Sequence, residues 1–284
     1  MSSLFQCGRF ELRLDRPFIM GIVNVTPDSF SDGNHHFSTQ AAIEHGLQLV
    51  AEGAEFLDVG GESTRPGSEP VSIEDELRRI IPVIEGLRAC GVPLSIDTFK
   101  PEVMDQALAA GADLINDIYA LRQEGALEVL AKYPKAGVCI MHMHGDPKTM
   151  QNSPPDYDDA ITQHVYDFLD ARIQTMLDAG ITKNRIMIDP GFGFGKTMPQ
   201  NYQLLAEMSV LKNLDAPILI GVSRKSMIGY ATNQTVENRT VGSVVAALAA
   251  ADRGAVVLRV HDVQATRDGL NVWNAINKEL NHGS

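Results

Sequence analysis

The stretch FIMGIV at Phe18–Val23, closed by Asn24, is the first of eight short, largely apolar runs along a chain of 284 residues. The other seven are Phe56–Val59, Pro93–Ile96, Asp113–Ile115, Gly137–Met141, Arg185–Ile188, Ile218–Val222 and Val256–Val260. Nearly all of them end in polar or charged residues. At or just past the ends stand Asn24, Asp58 with Gly60–Gly61, Asp97, Asn116 with Asp117, His142, Asp189, Ser223 with Lys225, and Arg259 with His261. Amphipathic helical patterns separate most of the runs. Strand, polar end, helix, eight times over, predicts an α/β fold, a (β/α)8 TIM barrel with its active site at the C-terminal strand ends. Such a chain gathers carboxylates, amides and bases around one mouth, as an enzyme does.

Composition agrees with one large domain. The chain is 44% hydrophobic and 21% charged, the balance of a globular protein with a sizeable core. A net charge of -12 argues against nucleic acid or an anionic membrane as partner. An anionic substrate would need local cations, and Lys196, Arg224, Lys225, Arg259 and His261 all fall near predicted strand ends. Three scattered cysteines, Cys7, Cys90 and Cys139, suit neither a disulfide framework nor a zinc site. Without a long apolar N-terminal segment or a membrane-length apolar stretch, the expected location is the cytoplasm.

Around the eight runs the remaining elements fall into place. Leu4–Gln6 and Arg9–Leu14 alternate about Cys7-Gly8 and predict a short N-terminal hairpin. Ser38 is placed to cap a helix over Thr39–Glu52, and Ser72 with Asp75 to cap one running to about Arg88. Pro101 fits a first helical turn. Further helices are expected at Gly125–Lys132, Tyr157–Ala179, Gln200–Leu211, Val241–Ala251 and Val263–Leu280. Gly53, Gly111, Gly180 and Gly254 each stand where a helix stops before a strand. No linker interrupts residues 1–284, so a single domain is expected. Two loops rich in turn formers, Asn24–Gly33 and Gly60–Gly67, overhang the mouth.

These segments are similar, in order and over essentially the whole chain, to the dihydropteroate synthase family. The resemblance rests on NVTPDSFSDG after the first run, GGESTRPG after the second, Ser95–Thr98, Ile115–Asp117, Asp189–Phe194, Ser223–Ser226 and Arg259–Asp262. It implies a pterin-binding enzyme of folate biosynthesis. That family joins 4-aminobenzoate to 6-hydroxymethyl-7,8-dihydropterin diphosphate, releases diphosphate and is the target of sulfonamides.

The resemblance also implies roles. Asp189 would accept the flat donor edge of the pterin in bidentate fashion. Asp97 and Asn116 would complete the rim, Met141 and Phe194 would supply apolar walls, and Lys225 would face the pterin. Asn24, Arg259 and His261 would bind the diphosphate. Mg²⁺ would be held by Asn24 and a first-loop carboxylate, with Asp32 preferred to Asp28. Phe30, Thr64, Pro66 and Ser226 would bind the aminobenzoate, and Asp97, Lys225 and Arg65 form the expected catalytic set. A homodimer is usual in the family, and Val244–Leu248 could supply its surface.

Other readings fit less well. A methyltransferase barrel using a methylated pterin would share Asp97, Asn116 and Asp189 but would not need the two loops or Ser223–Ser226. A non-catalytic pterin-binding paralogue should have lost loop or anion-site residues. His142 and His144 form an H-x-H pair with no companion ligands, and Asp189–Lys196 lacks the spacing of a phosphate-binding loop.

Overall fold

The computed structural model describes residues 4–25, 35–63, 69–146, 149–150, 154–157 and 160–282. Two short antiparallel strands, β1 (Phe5–Cys7) and β2 (Phe10–Leu12), form the hairpin. Eight parallel strands then close a barrel: β3 (Phe18–Asn24), β4 (Phe56–Gly60), β5 (Leu94–Asp97), β6 (Leu114–Asp117), β7 (Gly137–Met141), β8 (Ile186–Asp189), β9 (Ile218–Ile220) and β10 (Ala255–Val260). They run in chain order around the barrel, and β10 closes on β3. All eight predicted runs are therefore strands, shifted by at most two residues at either end.

The helices are α1 (His35–Ala51), α2 (Ile73–Leu87), α3 (Pro101–Ala110), α4 (Ala126–Lys132), α5 (Ile161–Asp178), α6 (Met198–Glu207), α7 (Ser226–Thr232), α8 (Thr240–Asp252) and α9 (Val263–His282). Ser72 caps α2 as expected, its Oγ accepting the Asp75 N–H at 3.1 Å. Ser38 does not cap α1. That helix already begins at His35, since neither glycine nor proline stands between His35 and Ser38 to stop it. Likewise α6 begins ahead of Gln200, because Thr197 and Gln200 form a reciprocal capping box. None of the described helices is long and apolar enough to cross a membrane.

Because side chains alternate along a strand, each barrel strand divides its residues between two environments. Leu57, Val59, Ile96, Ile115, Ile140, Ile188 and Ile220 belong to the layer shared with the helices. Met20, Phe56, Leu114, Cys139, Met187, Leu219 and Val257 instead form a separate cluster inside the barrel. The hairpin plugs this end with Phe5 and Cys7, both buried. It is held by an Arg9–Asp113 ion pair at 2.8 Å. Gly8 lies at φ +57, and a Cβ there would stand 2.3 Å from the Asp113 carboxylate, so the turn tolerates only glycine.

Candidate active site

Two residues beyond the apolar inner cluster, the same inward positions become polar. Phe56 gives way to Asp58, Leu114 to Asn116, Met187 to Asp189 and Val257 to Arg259; Ser95 is followed by Asp97 in the same way. Asp58, fully buried, is the hub. Its Oδ1 accepts the Ser95 hydroxyl at 2.5 Å, and its Oδ2 accepts Arg259 Nε at 2.5 Å and Asn116 Nδ2 at 3.2 Å. Arg259 Nη2 in turn donates to Asp97 Oδ2 at 2.8 Å.

The other oxygen of Asp97, Oδ1, is buried and has no hydrogen-bond partner among the described residues. Burial is the main reason that the Asp97 carboxyl is pushed up to about 7; Arg259 opposes this and Asp58 adds to it. A buried acceptor of this kind is costly unless a ligand supplies the donor. Arg259 answers the same field: held between Asp58 and Asp97, it stays charged despite its burial.

Asp189 closes the opposite side of the mouth. Its Oδ1 accepts the Gly191 N–H at 2.7 Å, and burial raises its pKa against the pull of Lys225. Lys225 Nζ donates to the Phe192 carbonyl at 2.6 Å and stands 4.7 Å from the Phe194 ring centre. Burial lowers the Lys225 ammonium to about 8, with Asp189 resisting. Gly221 leaves room here: a Cβ on it would lie 3.9 Å from both Lys225 Nζ and the Arg259 side chain. Met141 and Phe194 share one apolar cluster with Ile118, Met143 and Met150.

Asn24 ends β3 at the rim, next to β10, which carries Arg259. The backbone N–H of His261 donates to Ser223 Oγ at 3.1 Å, and its Nδ1 lies 3.0 Å from the same oxygen. Ser226 is exposed and opens α7. The barrel therefore brings Asn24, Asp97, Asn116, Met141, Asp189, Phe194, Lys225, Arg259 and His261 to one end. Phe30, Asp28, Asp32, Thr64, Arg65 and Pro66 lie outside the described residues.

Two of the five cations expected at the mouth are committed elsewhere. Lys196 is wholly buried, its Nζ donating to the carbonyls of Gly191, Phe194 and His142 at 2.7, 3.2 and 3.4 Å. Arg224 grips Asp262 through Nε at 2.9 Å and Nη2 at 2.5 Å. Asp58 is the residue that sequence reasoning underused. It was visible as a strand-end carboxylate, and its place two residues before Gly60 on the inward face was the signal for a site role. His142 sits edge-on to Phe168 at 5.1 Å, and burial drives its pKa down to about 2, so the ring is neutral.

The Pterin binding enzyme family matches residues 20–261. A dihydropteroate synthase of Neisseria meningitidis serogroup C is 50% identical over 281 residues, 98% of this chain and 99% of that protein. Among solved structures, Xanthomonas albilineans dihydropteroate synthase with 4-aminobenzoic acid superposes with a TM-score of 0.91 at 54% identity, covering 98% of this chain and 99% of that one. A Yersinia pestis dihydropteroate synthase in complex with a sulfonamide drug gives a TM-score of 0.91 at 45% identity, covering 97% and 99%. With the barrel, the carboxylate and amide rim and full-length likeness in agreement, the chain belongs to the dihydropteroate synthase family of pterin-binding enzymes.

Proposed function

We propose that this chain transfers a pterin-methyl group, joining 4-aminobenzoate to 6-hydroxymethyl-7,8-dihydropterin diphosphate to form dihydropteroate and diphosphate. The observation that carries the reading is the Asp97 carboxylate, with one oxygen on Arg259 and the other buried, on the strand next to Asn116, without a partner among the described residues. A pterin offers ring and amino N–H groups to such an acceptor. Asp189 accepts at a second point, because an oxygen already bonded to the Gly191 N–H keeps further lone-pair capacity. Phe194 and Met141 cover the ring.

Chemistry on this frame is a substitution in which the leaving group departs first. The bond from the exocyclic methylene to the diphosphate oxygen breaks, the electron pair leaves with the diphosphate, and the dihydropterin spreads the resulting positive charge. Asp97 stabilises that charge, and the neutral aminobenzoate amine then attacks the methylene carbon and passes its surplus proton to the released diphosphate or to water. No strong base is required; the work is electrostatic and positional. Arg259 and His261 receive the diphosphate. Two donors of the Arg259 guanidinium already serve Asp58 and Asp97, so its remaining N–H groups do this.

The Asn24 amide oxygen is a hard donor at the rim and fits Mg²⁺, with Asp32 as the proposed protein partner and the diphosphate filling further positions. When bound, the ion would screen the charge leaving with the diphosphate. Lys225, held over Phe194, faces the pterin, and Ser226 takes the aminobenzoate carboxylate with Phe30, Thr64, Arg65 and Pro66 completing that subsite. A sulfonamide, which shares the aniline ring, should compete with aminobenzoate there.

An apolar stripe on α8 and α9 supports a homodimer as part of this reading. Val241 and Val245 are 76% and 61% exposed, and Val272 and Ile276 are 63% and 59% exposed. Val244, part of the stretch first considered for this surface, instead faces α9 at Gly269. Sedimentation across a range of concentrations tests the pairing. The three cysteines are free, two of them buried, in keeping with the reducing cytoplasm proposed as its location. The deciding assay mixes the purified protein with both substrates and magnesium and follows diphosphate and dihydropteroate together. Equal release of both supports the reading, whereas pterin binding without product would mark a non-catalytic paralogue.

A further inference from the structure

The turn from Asp189 to α6 carries part of the pterin site yet is built from backbone that should not hold still. Gly191, Gly193 and Gly195 all adopt positive φ, at 71°, 79° and 63°. Three such glycines within five residues give the free chain many conformations to lose. The turn is nonetheless pressed tightly against the end of β7. A Cβ on Gly191 would stand 1.9 Å from the His142 carbonyl oxygen, and one on Gly195 would stand 2.8 Å from the His144 carbonyl oxygen.

Lys196 is what lies between. Its ammonium has three protons and finds three acceptors: the Gly191 and Phe194 carbonyls within the turn and the His142 carbonyl on the strand side. Gly191 is also the residue whose N–H holds Asp189 Oδ1, so the two peptide units that flank its Cα are both fixed, one by Asp189 and the other by Lys196. Phe194, the ring wall, is held through its carbonyl. Asn201 braces the same turn from α6, accepting the Gly193 N–H at 2.6 Å and donating to the carbonyls of Lys196 and Thr197. Lys225 holds Phe192 from the mouth side.

We propose that Lys196 is a positioning residue for the pterin: it ties the turn after β8 to the end of β7 and so presets Asp189 at the pterin edge and Phe194 at its face. The proposal rests on the pterin-binding reading above. A wholly buried lysine is an expensive brace, since burial favours its neutral form and lowers its pKa to about 7, with Asp189 holding it up and Lys225 pressing it down. An apolar side chain would fill the same space at lower cost. What it would not do is bind three converging carbonyls or stand as a positive charge behind Asp189.

Lys196→Met and Lys196→Gln test this, with kinetics and calorimetric pterin binding measured beside the wild type. Lys196→Met should raise the pterin KM by about tenfold or more, while the aminobenzoate KM at saturating pterin changes by less than about twofold. Lys196→Gln, which keeps two donors, should fall between. A pterin KM within about twofold of wild type in the folded Lys196→Met protein, or an equal rise in both KM values, would overturn the proposal. If Lys196→Met fails to fold, Lys196→Gln carries the comparison. Hydrogen exchange on the wild type gives a reading without any variant: residues 190–197 should be protected before pterin is added, and free exchange that pterin alone suppresses would rule out a preset turn. Should the wild type bind no pterin at all, it is the functional reading, not the role of Lys196, that fails.

Discussion

The lower and upper inner layers of the barrel lie about 7 Å apart along the same strands, yet differ in every physical respect. Below, Phe56, Leu114, Cys139, Met187 and Val257 meet the hairpin residues Phe5 and Cys7 in a dry apolar plug. Above, Asp58, Asn116, Asp189 and Arg259 gather charge and amide groups around an acceptor that has no partner among the described residues. The lower layer is stable because nothing in it needs water. The upper one is tolerable because Arg259 answers both Asp58 and Asp97, which leaves a single Asp97 oxygen at the mouth for a donor from a ligand. Stability and chemistry are separated by two residues of strand.

Breaking the lower layer should give the largest energetic effect. Phe56 is fully buried and meets Phe18 edge-on at 6.2 Å. Phe56→Ala is expected to cost about 3–5 kcal/mol of folding free energy, seen as a lowered denaturation midpoint. The fraction that stays folded should keep its KM values. A large rise in the pterin KM would mean that the two layers are not separate.

The upper layer should respond in the opposite way. Asp97→Asn is expected to lower turnover by about 10²-fold, close to 3 kcal/mol of transition-state stabilisation, while Asp189→Asn acts mainly on pterin affinity. Neither should lower the melting temperature much at neutral pH, because burial already works against these charges. Steady-state kinetics and thermal melts of both variants decide this. An Asp97→Asn enzyme with normal turnover and weakened pterin binding would reverse the assigned roles.

Titration sharpens the same contrast. With Asp97 near 7 and Lys225 near 8, kcat/KM for the pterin substrate should fall on the acid side as Asp97 is protonated and on the alkaline side as Lys225 loses its proton. Asp97→Asn should flatten the acid limb. Stability carries a matching sign. Asp97 has a raised folded pKa, so its contribution is most favourable below the unfolded value of about 4 and is lost as pH rises through about 7. Melts of wild type and Asp97→Asn from pH 5 to 8 should therefore diverge, the wild type losing more with rising pH. Parallel curves would show that Asp97 is not held in this way.

How much of this could be read in advance depended on distance along the chain. The strands and their polar ends were legible because each run is bounded locally by turn formers and followed by a helical pattern. The strand-end positions of Asp97, Asn116 and Asp189 were legible for the same reason, and a barrel places its site at such ends. The hub role of Asp58 was not, because its partner Arg259 lies 201 residues further on and only barrel closure joins them. Lys196 and Arg224 looked like available cations, since nothing local marks backbone carbonyls or Asp262 as their partners. The early start of α1 is a smaller case: a good capping residue does not stop a helix when the residues before it can also be helical.

The smallest expected effect is the sharpest test of the separation. Met187 is fully buried in the lower layer, and two residues later the same strand presents Asp189 to the mouth. Met187→Leu keeps volume and polarity nearly constant, so it should cost less than about 1.5 kcal/mol in stability. Because the inward step from Met187 to Asp189 passes through hydrogen-bonded strand backbone paired with β7, a repacked side chain below has no soft route to the carboxylate above. The pterin KM and kcat should both stay within about twofold of wild type. A tenfold change in either constant, with the melting temperature unmoved, would mean that the apolar plug sets the position of Asp189, and the barrel interior would have to be treated as one coupled unit.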